Sequence, residues 1–148
     1  MEISISNRQK SSVISQVELR KKTERVLEDL GCDPSTMISI SLVDAGEMTE
    51  LNVTYRGKES VSNVLAFSQL EGNQGSPVSH LLGDVVICGE RAVEDAHKLG
   101  YTVDEMVVYL LIHGILHLVG YRHDLPQDQE EMNETVQRIF DRIYPNGS

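Results

Sequence analysis

The most constraining feature of the sequence is an apolar run at residues 103–119. Thr102 and Glu105, three residues apart, are typical of a capping box that starts a helix. The run behind them leaves no polar stripe around a helix, and a helix that is apolar on every side is buried in the protein. At about 1.5 Å per residue it would be about 25 Å long. We therefore predict that this helix forms the centre of the core.

Shorter patterns on both sides of this run supply a sheet and further helices. Alternating or continuous apolar runs between turn signals predict four strands, at residues 2–6, 37–43, 63–67 and 81–88. Helical spacing with start and stop signals covers residues 15–30, 44–55, 90–99 and 127–143. The sequence thus predicts an α+β fold in which a mixed sheet of about four strands packs with about five helices around the central helix.

Length and composition narrow the class of protein. The chain has 148 residues, of which 40% are hydrophobic, which fits one domain over residues 1–148 and excludes a disordered chain. No apolar stretch reaches the roughly 18 to 20 uncharged residues of a bilayer span, so we expect no membrane association and a cytoplasmic location. Cys32 and Cys88 form no C-x-x-C pair, and we expect both to be buried as small hydrophobic residues.

The overall charge has the wrong sign for a nucleic-acid-binding protein. Thirteen basic residues against 23 acidic ones give a net charge of −10, whereas neutralisation of phosphates usually supplies much of the affinity for RNA or DNA. The charge is uneven, because residues 1–25 contain six basic and three acidic side chains. The acidic average therefore hides a basic end, which we expect on the exposed side of the first helix.

Three of the five histidines lie within residues 113–123, in the segment HGILHLVGYRH. His113 and His117 are four residues apart, so on a helix they leave from one face and can share a metal at about 2.0–2.1 Å. Gly120 can take the left-handed conformation that ends the helix and brings His123 to the same point. Three imidazoles that leave a fourth position open are typical of a catalytic zinc site.

The same histidine spacing occurs in zinc peptidases of the metzincin pattern, which carry Glu directly after the first His as general base. This chain has Gly114 at that position. Without a carboxylate there, the water for peptide hydrolysis lacks its general base. A metalloprotease-like zinc hydrolase is therefore the second hypothesis.

The segment HGILHLVGYRH resembles the signature of the YbeY family of metal-dependent endoribonucleases. Three further blocks are similar in the same order: LNVTYRGK at residues 51–58, NVLAF at 63–67 and LGDVVIC at 82–88. Within the second block Ala66 replaces a serine that is common in the family. The resemblance implies a zincin-like fold and cleavage of single-stranded RNA in the maturation of the 3′ end of small-subunit ribosomal RNA and in ribosome quality control. It also implies ribosomal RNA as substrate, with ribosomal or ribosome-associated proteins as further partners.

The resemblance also implies which residues form the site. His113, His117 and His123 would bind one zinc ion or another first-row metal, and Arg56 would bind the phosphate and act with His113 in catalysis. The alternative for Arg56 is a surface position at a helix end. Asp84 would either orient a ligand or cap a strand end. Tyr121 would either donate a hydrogen bond to a phosphate or pack its ring beneath the turn, and packing is the expectation. Asp124 would either accept a hydrogen bond from a histidine or cap the following helix, and capping is the expectation.

Two aspects of function stay open at this point. Attack on the phosphodiester by water or by the ribose 2′-hydroxyl is compatible with the same residues. A non-catalytic ribosome-assembly factor with a structural metal is the third hypothesis, since an acidic surface also suits protein partners.

Overall fold

The computed structural model describes residues 1–57, 62–68, 81–120 and 125–145. In chain order the elements are β1 (Glu2–Asn7), α1 (Gln16–Asp29), β2 (Met37–Val43), α2 (Ala45–Arg56), β3 (Val64–Ser68), β4 (Leu81–Cys88), α3 (Gly89–Leu99), α4 (Val103–Leu118) and α5 (Pro126–Ile143). Every predicted strand and helix is present, with ends that differ by at most a residue or two. The predicted α+β class is confirmed.

The four strands form one mixed sheet in the order β1-β2-β4-β3. β1, β2 and β4 run parallel, whereas β3 is antiparallel to β4 and, among the described strands, forms one edge of the sheet. The opposite edge, β1, is covered in part by α1, because the Arg20 guanidinium donates to the backbone carbonyl of Ile3. The β1 edge is therefore occupied in part by a side chain of α1.

Helix α4 lies at the centre of the core, as predicted. It packs against β3 and β4 on one side and against α1, α3 and α5 on the others, and most of its side chains are buried. One stripe departs from the prediction of burial on every side: Tyr109, His113 and His117, which recur every four residues, are only half-buried. This stripe is where the core helix meets solvent.

A smaller apolar cluster lies on the other face of the sheet. It is formed by Val43, Met48, Leu65, Val86 and Cys88. Val86 and Cys88 alternate along β4 with Val85 and Ile87, which belong to the main core, so the small cluster faces away from α4. Met48 brings α2 onto this face of the sheet.

The capping box that starts α4 is confirmed. The Thr102 hydroxyl accepts from the Glu105 backbone N–H at 3.1 Å, and the Glu105 carboxylate accepts from the Thr102 N–H at 2.7 Å. We expect Thr102→Ala to lower the free energy of unfolding by about 1 kcal/mol. Thr102→Ser keeps a hydroxyl, so its free energy of unfolding should fall much less. Urea unfolding of both variants measures the difference, and equal losses would contradict a capping role.

The expectation that the basic side chains lie on the exposed side of α1 needs correction. The basic residues are not all on a free surface: Lys22 is half-buried, with its ammonium 4.7 Å from the ring centre of Tyr144. Arg25 donates to the carbonyl of Arg142. Several of these cations therefore help α1 to pack.

Among the described residues, no single helix has the length and apolar character needed to cross a membrane; only α3 and α4 taken together, which are bent by 109° where they meet, pass the same test.

Candidate active site

Two of the three predicted metal ligands lie side by side on α4. The ring centres of His113 and His117 are 5.1 Å apart and the ring planes are inclined by 58°. Two imidazoles that bind one tetrahedral ion at about 2.0–2.1 Å have their ring centres about 5 Å apart. The spacing of the two rings thus fits a shared metal ion, as the sequence predicted.

The third predicted ligand, His123, lies outside the described residues, as do Tyr121 and Asp124. Gly120 is described and has φ of 106°, the conformation predicted for the turn that ends α4. Within residues 1–57, 62–68, 81–120 and 125–145, no three His, Cys, Asp or Glu side chains form a group that could hold a metal ion. The three-histidine ligand set therefore stays a prediction.

Both histidines open onto a cavity of about 340 Å³ between α4, β3 and the end of α2. The described lining residues are Tyr55, Asn63, Val64, Leu65, Ala66, Phe67, His113, Gly114 and His117. None of these described residues is acidic. The described part of the cavity wall therefore carries none of the negative charge that dominates the composition.

Arg56 is the last residue of α2, and its neighbour Tyr55 lines the cavity. The helix is held at both ends: Asp44 accepts from the Glu47 N–H, and Gly57 ends it with φ of 67°. Glu47 also accepts two hydrogen bonds from the Arg8 guanidinium, at 2.6 and 3.1 Å, which ties α2 to the end of β1. The backbone of Arg56 is thus placed beside the cavity, and its predicted binding of phosphate stays a prediction.

Gly114 allows α4 to lie unusually close to the sheet. A Cβ atom at this position would be 2.7 Å from Cγ1 of Val85 and 3.4 Å from Cγ2 of Val64. Since Cβ atoms essentially never approach so closely, the glutamate of the peptidase pattern has no space here without movement of the helix or the strand. The packing therefore counts against the metalloprotease hypothesis.

The outer side of β3, the last of the described strands in the sheet order, forms part of the cavity wall. The carbonyl of Asn63 accepts from the Cys88 N–H, and Val64 is paired with Ile87 and Ala66 with Val85. In an antiparallel ladder hydrogen-bonded and non-hydrogen-bonded pairs alternate, so the backbone groups of Val64 and Ala66 point away from β4. Peptide donors and acceptors thus face the cavity between the two histidines and α2.

An aromatic pair at the cavity was missed by the sequence analysis. The rings of Tyr55 and Phe67 have centres 4.9 Å apart and are inclined by 54°. Tyr55 fits the apolar spacing of its helix, yet it is 63% exposed. The available signal was an aromatic residue directly before Arg56 in a chain with only 5% aromatic residues.

Asn52 is a second residue that the sequence analysis did not single out. Its side chain is 0% exposed, and it donates to the Met48 carbonyl and accepts from the Ser62 hydroxyl at 3.3 Å. Asn63 in turn donates to Asp95 of α3 at 3.3 Å. These bonds hold the start of β3 against α2 and α3, and so fix the cavity wall that faces the histidines.

Asp84 does not cap a strand end, because it lies in the middle of β4. It is paired with Phe67 and therefore shares the sheet face that points away from α4. A direct role in orienting His113 or His117 is excluded by that position.

Of the cysteines, Cys88 is buried as expected, whereas Cys32 is only partly buried. Burial raises the pKa of both thiols, which lowers their reactivity.

Comparison with known proteins gives the family. The family model described as Endoribonuclease YbeY matches residues 4–144. The chain belongs to the YbeY family. A YbeY endoribonuclease of Alkaliphilus oremlandii is 35% identical over 147 residues, covering 97% of both chains. One of Syntrophotalea carbinolica is 34% identical over 143 residues, covering 95% of both. The predicted family is thereby confirmed.

A solved structure supports the fold of this YbeY family member. A Thermotoga maritima protein determined in solution superposes with a TM-score of 0.64 and 24% identity, covering 97% of this chain and 89% of the other. At this identity the likeness concerns the fold alone. It agrees with the α+β architecture described above.

Proposed function

We propose that this protein is a metal-dependent endoribonuclease that cleaves single-stranded RNA, with ribosomal RNA as its substrate in the cytoplasm. The observation that carries the proposal is the pair of imidazoles, 5.1 Å apart on one face of a core helix and open to a cavity. Members of the family are named as endoribonucleases. The activity would reside in the single domain formed by residues 1–148.

One zinc ion is the proposed cofactor, held by His113, His117 and His123. Bound there, it supplies Lewis acidity for a phosphoryl oxygen. Imidazole nitrogens suit zinc and other first-row metals alike, so zinc is proposed on the basis of the donor set. His113 and His117 are well suited to hold it, because α4 is packed on several sides, which fixes the helix backbone that carries both side chains.

Arg56 is the proposed phosphate-binding and catalytic residue. A guanidinium is always charged and presents a planar set of donors that matches phosphate oxygens. At the end of α2 it follows Tyr55, which lines the cavity that also contains His113 and His117. It would position the phosphodiester and stabilise the charge that develops during cleavage.

The proposal is tested by incubating the purified protein with a synthetic RNA, once as a single strand and once in a duplex. We expect cleavage of the single strand, its loss on treatment with a chelator and its recovery when zinc is restored. A cyclic phosphate at the new end would indicate attack by the ribose 2′-hydroxyl, and a linear phosphate without a cyclic intermediate would indicate water. Cleavage of casein but not of RNA by the zinc-loaded protein would contradict the proposal.

Arg56→Ala should reduce RNA cleavage by about 100-fold, because the loss of one charged donor to the transition state has effects of this size. Zinc content should be unchanged, since Arg56 is not a proposed ligand. Arg56→Lys keeps the charge but not the planar set of donors, so its rate of RNA cleavage should lie between those of the unaltered protein and Arg56→Ala. Steady-state kinetics with metal analysis measure both properties, and undiminished cleavage by Arg56→Ala would remove the residue from the site.

A further inference from the structure

The cavity is larger than the two histidines require and continues around the edge of the sheet. His113 and His117 lie on the α4 side of β3, whereas the Phe67 side chain lies on the opposite face of that strand, with Tyr55 of α2 against it. The backbone groups of Val64 and Ala66 point into the space between them. Any substrate held at the histidines would extend over this second region.

The Tyr55 ring has the properties of a stacking surface. It is 63% exposed although it belongs to the cavity wall, and Phe67 supports it from the sheet at 4.9 Å between ring centres. Leaving a large ring exposed brings no gain in folding stability, since its apolar surface stays in water. A supported but exposed ring beside a candidate phosphate site is typical of single-stranded nucleic-acid binding, where bases stack on aromatic side chains.

We propose that Tyr55 and the backbone groups of Val64 and Ala66 on the outer side of β3 form a subsite for one unpaired nucleobase, an inference that rests on the proposed endoribonuclease function. The base stacks on the Tyr55 ring, and its polar edge is within the region served by the peptide groups of Val64 and Ala66. In a duplex both faces of a base are covered and its pairing edge is occupied. The subsite therefore selects unpaired nucleotides next to the bond that is cleaved.

The test combines protein variants with abasic RNA. Tyr55→Ala should lower kcat/KM for a short single-stranded RNA by about 5- to 150-fold, the range for one stacked base, mainly through KM. Tyr55→Phe retains the ring and should retain most of the activity. Val53→Ala is the matched control, because Val53 is exposed on the same helix and does not line the cavity.

A series of RNAs, each with one abasic site near the cleavage point, identifies the stacked base. At one position the abasic RNA should lower the activity of the unaltered protein as much as Tyr55→Ala does. The same RNA should have no further effect on Tyr55→Ala, because ring and base contribute one shared interaction. A purely structural role of Tyr55 would instead lower activity equally on every RNA of the series.

The outcomes separate this inference from the proposed function. If the protein cleaves RNA but Tyr55→Ala acts equally on intact and abasic substrates, the nucleobase subsite is wrong and the endoribonuclease proposal stands. If the protein cleaves no RNA, both are wrong. If Tyr55→Ala weakens only the binding of an extended peptide along β3, the edge serves a peptide, and the inference is overturned.

Discussion

Replacement of His117 by alanine is expected to abolish stoichiometric zinc binding and to lower RNA cleavage by about 1,000-fold or more. A bound metal supplies several kcal/mol of charge stabilisation in the transition state, and each 1.36 kcal/mol corresponds to a factor of ten in rate. Changes to residues that merely support a metal ligand already cost about 10- to 100-fold. Loss of a ligand should therefore exceed that range.

The matched control is His97→Ala. His97 is exposed in the last turn of α3 and does not line the cavity, so this variant should keep full metal content and activity. Metal analysis of the purified proteins and initial rates of RNA cleavage give the two readouts. Thermal unfolding of the metal-free proteins shows whether His117→Ala still folds. Full activity of a folded His117→Ala protein would contradict the proposed site.

Gly114→Glu should be strongly destabilising, by about 4 kcal/mol or more. Overpacking a core costs about 1–3 kcal/mol, and here a Cβ atom alone would lie 2.7 Å from Val85. The carboxylate would add the cost of burying a charge at a position that is itself buried. We expect a lower midpoint in urea unfolding and no gain of peptidase activity.

Gly46→Glu provides the control for Gly114→Glu. Gly46 also lies in a helix, but it is exposed, and the nearest atom to an added Cβ is Oδ1 of Asp44 at an ordinary 3.5 Å. A glutamate in the first turn of α2 is also favoured by the helix dipole. The free energy of unfolding of Gly46→Glu should therefore differ from that of the unaltered protein by less than about 1 kcal/mol. Equal losses in the two variants would show that packing against Val85 is not the cause.

The helices, the strands and the family could be predicted from the sequence, because all of them depend on local patterns. The capping box at Thr102, the glycines that end helices and the continuous apolar run of α4 all have a direct physical meaning in sequence. The pairing of His113 with His117 follows from helix geometry alone. These expectations were confirmed where the structure describes the residues.

Features that depend on long-range packing could not be predicted. The order of the strands decides that β3 is an edge and that Asp84 is central, and no local pattern encodes that order. Tyr55 fits the apolar spacing of α2, but its side chain does not belong to the smaller apolar cluster on which this helix packs. The steric role of Gly114 likewise depends on Val85, which is distant in sequence.

The net charge of −10 misleads because it averages over the whole chain. Within the described residues the cavity lining contains two histidines and no carboxylate. A phosphate responds to the charges near the place where it binds, and distant surface charges are screened by salt over about 8–10 Å. Composition alone was therefore a poor guide to the ligand of this site.

The two outermost described strands, β1 and β3, also bear on self-association. Open strand edges favour pairing between copies of a protein. At β1 a second copy would first have to displace Arg20 from the carbonyl of Ile3. Among the described residues, the outer side of β3 forms part of the cavity wall. A second copy paired along β3 would therefore occupy the wall of the proposed RNA site, and we expect edge-to-edge dimerisation to compete with RNA binding.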